Sequence, residues 1–517
     1  MSWMLWLNKR AVWFVGGLAV TAVALYVLVA AQMSQPGFPL DDAWIHQTYA
    51  RNLGVNGRWE YVPGAVSSGS TSPLWTIVLA IGYLVGVPFL GWAFALGVVS
   101  LWLLGWGGMR LWQALWPSLA KWRWLAGVTL VLLWPFVWAA ASGMETLLFA
   151  AMGVWLVADV LTAVRARSLD NKRVILLGGM AGLLILLRPD GLILLILVTA
   201  TLVLGRGGWR RGIWRGALFV GTAVLVLTPY FAFNYATSGT LWPNTFYAKQ
   251  TEYAVLLTTP LMSRLLRLLY FSLGGPESGW QGSSSAHLLL LPGVVWAAWL
   301  ALQQDWRQKQ LFYLLPFAWA GGHVLAYAWR LPVLYQHGRY LLAAVPVWVI
   351  AGLAGWLLLF SRVKGNGLPG RVLRLTGGIT FAIVWLFFLG VGAAAYGRDV
   401  AFINGEMVTV AHWLAENTPE DALVAAHDIG AIGYFGERPL LDLAGLISPE
   451  IVPLLADEQA LAAYIWQSDA DYLVTAPGWP YEAVTLDSRA ELLFATNYGQ
   501  TREEGVNNMA VYALKRP

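Results

Sequence analysis

Long apolar runs alternate with short polar connections along most of the chain, and that alternation predicts the elements. Segments apolar and long enough to cross about 30 Å of hydrocarbon occupy residues 11–33, 124–140, 145–164, 173–189, 190–205, 213–235, 284–303, 311–329, 339–361 and 374–396. The region 73–117 supplies the rest, with one crossing near 91–115 and a short re-entrant or interfacial helix at 73–88. The pattern predicts an α-helical polytopic membrane protein with about eleven transmembrane helices. The first run is longer than a signal-peptide core and lacks a small-x-small exit, so it reads as an uncleaved span. In "LLTTPLMSRLLRLLYFSLGG", Arg264 and Arg267 stand three residues apart among leucines. This stretch reads as an amphipathic helix lying on the interface.

After Tyr396 the pattern changes. "AHWLAENTPEDALVAAHDIGAIGYF" reads as helix, Pro-marked turn, short strand and helix, while "RPLLDLAG", "DYLVTAP" and "MAVYALK" read as buried strands. The expected organisation is a membrane domain over 1–396, whose first outer loop spans 34–72, and a soluble α/β domain over 397–517. No internal repeat interrupts either part.

Composition supports the membrane reading. The charged fraction of 12% is about half that of soluble proteins. The absence of cysteine excludes disulfides, thiol catalysis and Cys-ligated metal sites. The net charge of +5 conceals an asymmetry: residues from 397 onward hold 18 acidic and 6 basic side chains, and the rest of the chain 10 and 27. The basic residues concentrate in loops at 8–10, 121–123, 165–173, 205–216, 303–310 and 361–374. Such loops mark the cytoplasmic side, which puts the N-terminus inside and the C-terminal domain outside. Basic membrane loops are no argument for nucleic-acid binding.

This topology collects the remaining polar segments on the outer face: "DDAWIHQTYARN" (41–52), "SSGSTSP" (67–73), "ASGMET" (141–146), "RPDG" (188–191), "TLWPNTFYAKQ" (240–250) and "LYQHGRY" (334–340). Asp41 and Asp42 on their own would read as a helix N-cap. However, His46 lies four residues after Asp42 on the same helical face, Tyr49 and Arg51 follow, and Glu145 starts another span on the same side. Adjacent carboxylates in a partly dry site serve either as a general base or as oxygen ligands to a divalent cation, and both uses stay open at this point. Arg339, with His337 and Tyr340 beside it, Lys249 and Arg188 supply the opposite charge. Snorkelling to headgroups is the ordinary role of such residues. Outward placement runs against the positive-inside trend and points to an anionic partner. His323 reads as a packing histidine and Asp159 as the partner of Arg165 or a water.

These segments resemble the GT-C superfamily of polyprenyl-phosphate-sugar glycosyltransferases, in which an Asp-Asp or Asp-Glu pair follows the first span. The closer likeness is to mycobacterial terminal arabinofuranosyltransferases, through "DDA", "YARNL", "SGMET", "RPDG", "PNTFYAK", "HGRY" and "DIGAIGYFGERPLLDLAGLISPE". The resemblance implies a GT-C fold in a bacterial inner membrane, a polyprenyl-phosphate sugar donor, and a glycan or lipid acceptor at the outer face. It implies a catalytic pair with Asp41 as the base, and Asp42 and Glu145 holding acceptor or sugar hydroxyls or orienting the base. Arg339, His337, Lys249 and Arg188 would stabilise the phosphate, and His46, Tyr49, Asn244, Tyr247 and Tyr340 would complete the substrate-binding set. A phosphomonoester-linked donor favours no metal and no cofactor. Protein O-mannosyl transfer and aminosugar transfer to lipid A are alternative reactions on the same architecture, and a lipid-linked glycan transporter is the non-enzymatic one.

Overall fold

The computed structural model describes residues 2–166, 168–205, 208–277, 285–308, 312–362, 368–503 and 505–515. Its helices are α1 (Ser2–Met33), α2 (Asp42–Asn56), α3 (Pro73–Leu84), α4 (Phe89–Leu115), α5 (Arg123–Leu132), α6 (Trp134–Ala141), α7 (Thr146–Arg165), α8 (Asn171–Leu187), α9 (Gly191–Leu204), α10 (Trp209–Ser238), α11 (Asn244–Glu252), α12 (Leu261–Ser272), α13 (Leu291–Gln308), α14 (Leu315–Arg330), α15 (Tyr335–Gly338), α16 (Val345–Arg362), α17 (Leu368–Ile403), α18 (Thr409–Asn417) and α19 (Gly430–Phe435). Where the residues are described, every expected span falls on one of these helices or, for 124–140 and 339–361, on a bent pair. The chain is a multi-pass membrane protein.

Among the described residues six helices are long and apolar enough to cross a membrane, and two bent pairs bring the number to eight. Pro135 cannot continue the α5 hydrogen-bond ladder, so α5 and α6 meet at 55°. The eleven expected spans are not all reached on length. Helices α8, α9 and α14 have 17, 14 and 16 residues, which at 1.5 Å per residue fall short of about 30 Å. For α8 and α9 the cause is the Pro189–Gly191 turn between them. The predicted amphipathic segment is α12, which leaves Leu261, Met262, Leu266 and Tyr270 exposed along one side. The basic loops at 165–173, 205–216, 303–310 and 361–374 lie in part outside the described residues.

Helix α17 runs past Tyr396 to Ile403 and continues through a π-helical turn at Asn404–Val408 into α18. One near-continuous helix therefore carries the chain from the bundle into a five-stranded sheet. Strands β3 (Val424–Ala426), β4 (Leu440–Asp442) and β5 (Tyr472–Thr475) are parallel, and β6 (Ala490–Ala495) and β7 (Ala510–Leu514) complete the order β4-β3-β5-β7-β6 with antiparallel pairing. Before them, β1 (Glu60–Val62) and β2 (Ala65–Val66) form a small hairpin. The sheet domain rests on α2. Trp44 packs against Tyr434 and Phe435, the Tyr61 hydroxyl donates to the Ile429 carbonyl at 2.5 Å, and Arg51 donates to the Tyr434 carbonyl at 2.8 Å.

Candidate active site

The polar segments that break the apolar runs converge at one end of the bundle. Asp42 opens α2, and its Oδ2 accepts hydrogen bonds from Lys249 Nζ at 3.2 Å and from Arg339 Nη2. Both cations also donate to the Tyr340 hydroxyl, at 3.3 and 3.0 Å. The Tyr340 ring lies 4.9 Å from the Arg339 guanidinium, 5.4 Å from that of Arg188 and 5.9 Å from the Lys249 ammonium. Three cations thus share one aromatic ring, whose quadrupole offsets part of their repulsion.

A second group adjoins this one. Glu145 Oε1 accepts from Arg188 Nη1 at 2.6 Å, and His46 Nε2 lies 3.4 Å from Glu145 Oε2. Arg188 also donates to Asp190 at 2.9 Å and to the Tyr327 hydroxyl at 2.8 Å, while that hydroxyl donates to Asp190 at 2.5 Å. His323 donates to the Tyr340 carbonyl at 2.8 Å and so fixes the backbone of the cation cluster. This is the packing role expected of it.

The two groups form the polar end of a cavity of about 340 Å³. The loop Gly69–Ser72 closes one side, and Leu192, Ile193, Trp242, Phe246, Ala326 and Leu331 make an apolar wall. Arg339 is only 5% exposed, yet its Nε and Nη1 have no hydrogen-bond partner among the described residues, and neither has His46 Nδ1. A buried donor without a partner costs about 1–3 kcal/mol. Arg339 and His46 thus line the cavity with nitrogens left unpartnered, beside a hydrophobic wall.

The two adjacent aspartates have opposite surroundings. Burial alone would push the Asp42 carboxyl up, but the Lys249 and Arg339 charges override it and hold the group far below the usual range. Asp41 does not line the cavity. Its oxygens accept the backbone N–H groups of Gly430 at 2.6 Å and Ala431 at 2.7 Å, the first residues of α19. A Cβ on Gly430 would stand 2.1 Å from the Asp41 carbonyl oxygen, so only glycine admits this approach. Burial and the neighbouring Asp428 push Asp41 up to about 8, against the pull of the two N–H bonds. Asp41 is a cap, although for a helix nearly 390 residues away and not for α2. The structure thus places the expected base beside the cavity lining, on the amides of the sheet domain.

Other expected site residues also fall elsewhere. Gln336, His337 and Gly338 have φ of 52°, 59° and 67°. This left-handed run turns the chain so that Arg339 enters the cavity while His337 points away, between Trp134 and Trp138. Its Nε2 meets Asp399 Oδ2 at 2.8 Å, an oxygen that also accepts from Trp138. Tyr49 is buried behind the cavity, with its hydroxyl 2.6 Å from Ser67 Oγ and accepting from the Gly69 N–H, so it shapes the loop wall. Asn244 anchors α11 through its N–H to the Ser68 carbonyl, and Tyr247 faces outward, 37% exposed. Asp159 pairs with Arg110 of α4, while Arg165 donates to the Ala114 carbonyl. Asp42, His46, Glu145, Arg188, Lys249, Arg339 and Tyr340 do come together. Asp190, Tyr327 and Ser70–Ser72 join them without having been singled out, although "RPDG" and "SSGSTSP" contain all but the tyrosine. Among the described residues no group of three or more His, Asp or Glu side chains is placed to hold a metal ion.

A family model described as Domain of unknown function (DUF8728) matches residues 398–512. No curated protein matches the chain. The fold is similar to ArnT from Cupriavidus metallidurans, solved with undecaprenyl phosphate bound, at a TM-score of 0.55 and 16% identity over 97% of this chain and 98% of that one. It is also similar to the oligosaccharyltransferase AglB from Archaeoglobus fulgidus, solved with an inhibitory peptide and a dolichol-phosphate, at a TM-score of 0.57 and 11% identity over 89% of this chain and 69% of that one. Arabinofuranosyltransferase AftD from mycobacteria aligns at a TM-score of 0.44 and 16% identity over 96% of this chain and 41% of that one, a likeness too weak to carry an argument. The chain has the GT-C fold that its motifs suggested.

Proposed function

We propose that the protein is a membrane glycosyltransferase that moves a sugar, with inversion, from a polyprenyl-phosphate donor to a hydroxyl of an extracytoplasmic glycan or lipid. The observation that carries this reading is Arg339, a buried guanidinium with two idle donor nitrogens at the end of an apolar-walled cavity. A lipid phosphate satisfies both features: its oxygens take the free N–H groups, and its first isoprene units cover the wall formed by Leu192, Ile193, Trp242 and Phe246.

In this reading Arg339, Lys249 and Arg188 neutralise the phosphate, whose charge grows as the anomeric C–O bond breaks. Asp42 fixes Lys249 and Arg339 in position, and its second oxygen stays available to a sugar hydroxyl. Glu145, held by Arg188, and His46 extend the polar rim for the sugar. The cavity end of the bundle would face away from the cytoplasm, because the basic loops terminate the opposite ends of the same helices. The carboxylates that line the cavity are already neutralised by Arg and Lys, which favours chemistry without a divalent cation.

The test is incubation of the purified protein with a panel of polyprenyl-phosphate sugars and mixed glycan acceptors. Sugar transfer is expected, and Asp42→Asn should reduce it on the order of 100-fold or more by freeing the cations from their fixed positions. Transbilayer movement of labelled lipid with no sugar transferred would overturn the enzyme reading in favour of a transporter.

A further inference from the structure

The lysine and arginines at the polar end of the cavity are already matched by carboxylates. Lys249 and Arg339 stand on Asp42, and Arg188 on Glu145 and Asp190. These side chains can hold a phosphate by hydrogen bonds, yet the charges of the group cancel. A glycosyl phosphodiester brings one negative charge, and a charge that enters a partly dry cavity unmatched is costly. A fourth cation, Arg330, lines the same cavity.

Arg330 is the last residue of α14. Ala326 and Tyr327 precede it by four and three positions on the same helical face, so one side of α14 lines the cavity from the Tyr327 hydroxyl to the Arg330 guanidinium. Helix α11 lines it likewise with Phe246, Lys249 and Gln250. The two helices are tied where the Arg330 guanidinium donates to Gln250 Oε1.

Of the described residues that line the cavity, only Arg330 is exposed. The side chains of Arg339, Arg188 and Lys249 are 6%, 13% and 22% exposed. The cations thus form a series from the floor of the cavity to its mouth, and Arg330 stands at the mouth. Among the described residues it pairs with no carboxylate; its partners are the neutral Gln250 amide and the ring of Trp329, 5.6 Å away. An exposed arginine beside a tryptophan at a helix end ordinarily snorkels to bulk headgroups. This one instead lines the cavity and reaches α11.

We propose that Arg330 is a further donor-binding residue, which captures the phosphate of the polyprenyl-phosphate sugar at the cavity mouth and supplies the positive charge that the inner group lacks. This rests on the glycosyltransferase reading. Gln250 holds the guanidinium over the mouth until a phosphate oxygen takes its place, because an anion competes better than a neutral amide for a guanidinium.

The test compares wild type, Arg330→Ala, Arg330→Lys and Gln250→Ala in the full-length protein. Donor KM and kcat are measured separately, and binding of undecaprenyl phosphate and of phosphatidylglycerol is measured at low and high salt. Arg330→Ala should raise the donor KM and the Kd for undecaprenyl phosphate roughly fivefold, with a smaller loss in kcat. It should also flatten the salt dependence of that binding and change phosphatidylglycerol binding little. Arg330→Lys should recover much of the affinity, since it keeps the charge. Gln250→Ala should lower the KM, because it removes the group that competes with the phosphate. A bridge that only braces the helices would make Gln250→Ala and Arg330→Ala equally harmful. An arginine that serves bulk headgroups would lose phosphatidylglycerol and keep undecaprenyl phosphate at the wild-type Kd. Either result would overturn this proposal alone. A wild-type protein that binds undecaprenyl phosphate and transfers no sugar would overturn the glycosyltransferase reading beneath it, while the binding measurements still decide the role of Arg330.

Discussion

Two buried charges, Glu406 and Arg339, lie in very different surroundings. Glu406 sits in the π-helical turn between α17 and α18, 0% exposed, and among the described residues it pairs with no cation. Its two oxygens accept from the hydroxyls of Thr496 and Thr501, from Asn508 Nδ2 at 2.6 Å and from the Met509 N–H at 2.9 Å. Every lone pair is occupied, all by residues of the sheet domain. The turn therefore works as a socket that docks the domain on the long helix, and nothing remains there for a ligand. Arg339 is almost as buried but uses one nitrogen of three. A saturated buried charge holds structure together, whereas an unsaturated one at a cavity is kept for a partner that the protein alone does not supply.

The sharpest way to break this comparison is to damage each side and ask which property fails. Glu406→Ala leaves buried hydroxyl, amide and backbone donors without an acceptor, and should destabilise the sheet domain by at least ~3 kcal/mol. Thermal unfolding and proteolysis of the C-terminal domain would register it. Donor-lipid affinity in the fraction that remains folded should stay unchanged. Arg339→Lys keeps the charge but removes the planar fork. Transfer should fall roughly 100-fold with little change in the melting temperature, as a transfer assay alongside an unfolding curve would detect. If Arg339→Lys unfolded the protein, the cation would belong with Glu406 as a structural group.

Asp41 sharpens the comparison from between the two. Asp41→Asn retains one acceptor for the α19 amides and loses the other, which should cost about 1–2 kcal/mol. A role as cap alone should weaken transfer several-fold through a looser domain contact. Complete loss of activity without loss of stability would mark Asp41 as the base.

The smallest expected effect is on pH dependence. Asp41, Asp428 and His427 all hold their protons more tightly in the folded protein than free side chains do. Near pH 6 to 8 the folded state therefore binds more protons than the unfolded chain, whose aspartates release theirs near 4. Stability should rise by about 1 kcal/mol as pH falls from 8.5 to about 5, after allowance for solvent screening. It should fall below pH ~4, where the unfolded chain takes a proton at Asp42 that the folded carboxylate, held by Lys249 and Arg339, does not. A melting temperature unchanged between pH 8.5 and 5 would contradict the assignment.

Much of the site was readable because polar residues inside an apolar chain are conspicuous. Asp42, Glu145, Arg188, Lys249 and Arg339 interrupt hydrophobic runs where no packing reason explains them. Which of Asp41 and Asp42 lines the cavity was not readable, because it depends on the amides of a six-residue helix nearly 390 positions away. His337 misled for a local reason: a left-handed backbone at 336–338 separates it from Arg339, and sequence periodicity does not announce such a turn in non-glycine residues. Tyr327 and Asp399 sit within helices, where the side chain's partner is set by how neighbouring helices pack. Helix α9 falls short of its expected span on length, because apolarity runs on past the Pro189–Gly191 turn into a segment of only 14 residues. Strand β6 went unseen, since "AELLFA" carries most of its side chains partly or fully exposed and lacks the pattern of a buried strand.

The most direct test of the central claim is the binding of undecaprenyl phosphate to detergent-purified wild type and to Arg339→Ala, read by native mass spectrometry. Saturable binding by wild type, weakened tenfold or more in the variant while undecaprenol without phosphate binds both poorly, is the predicted result. Equal affinity of wild type and variant for the lipid phosphate would contradict it.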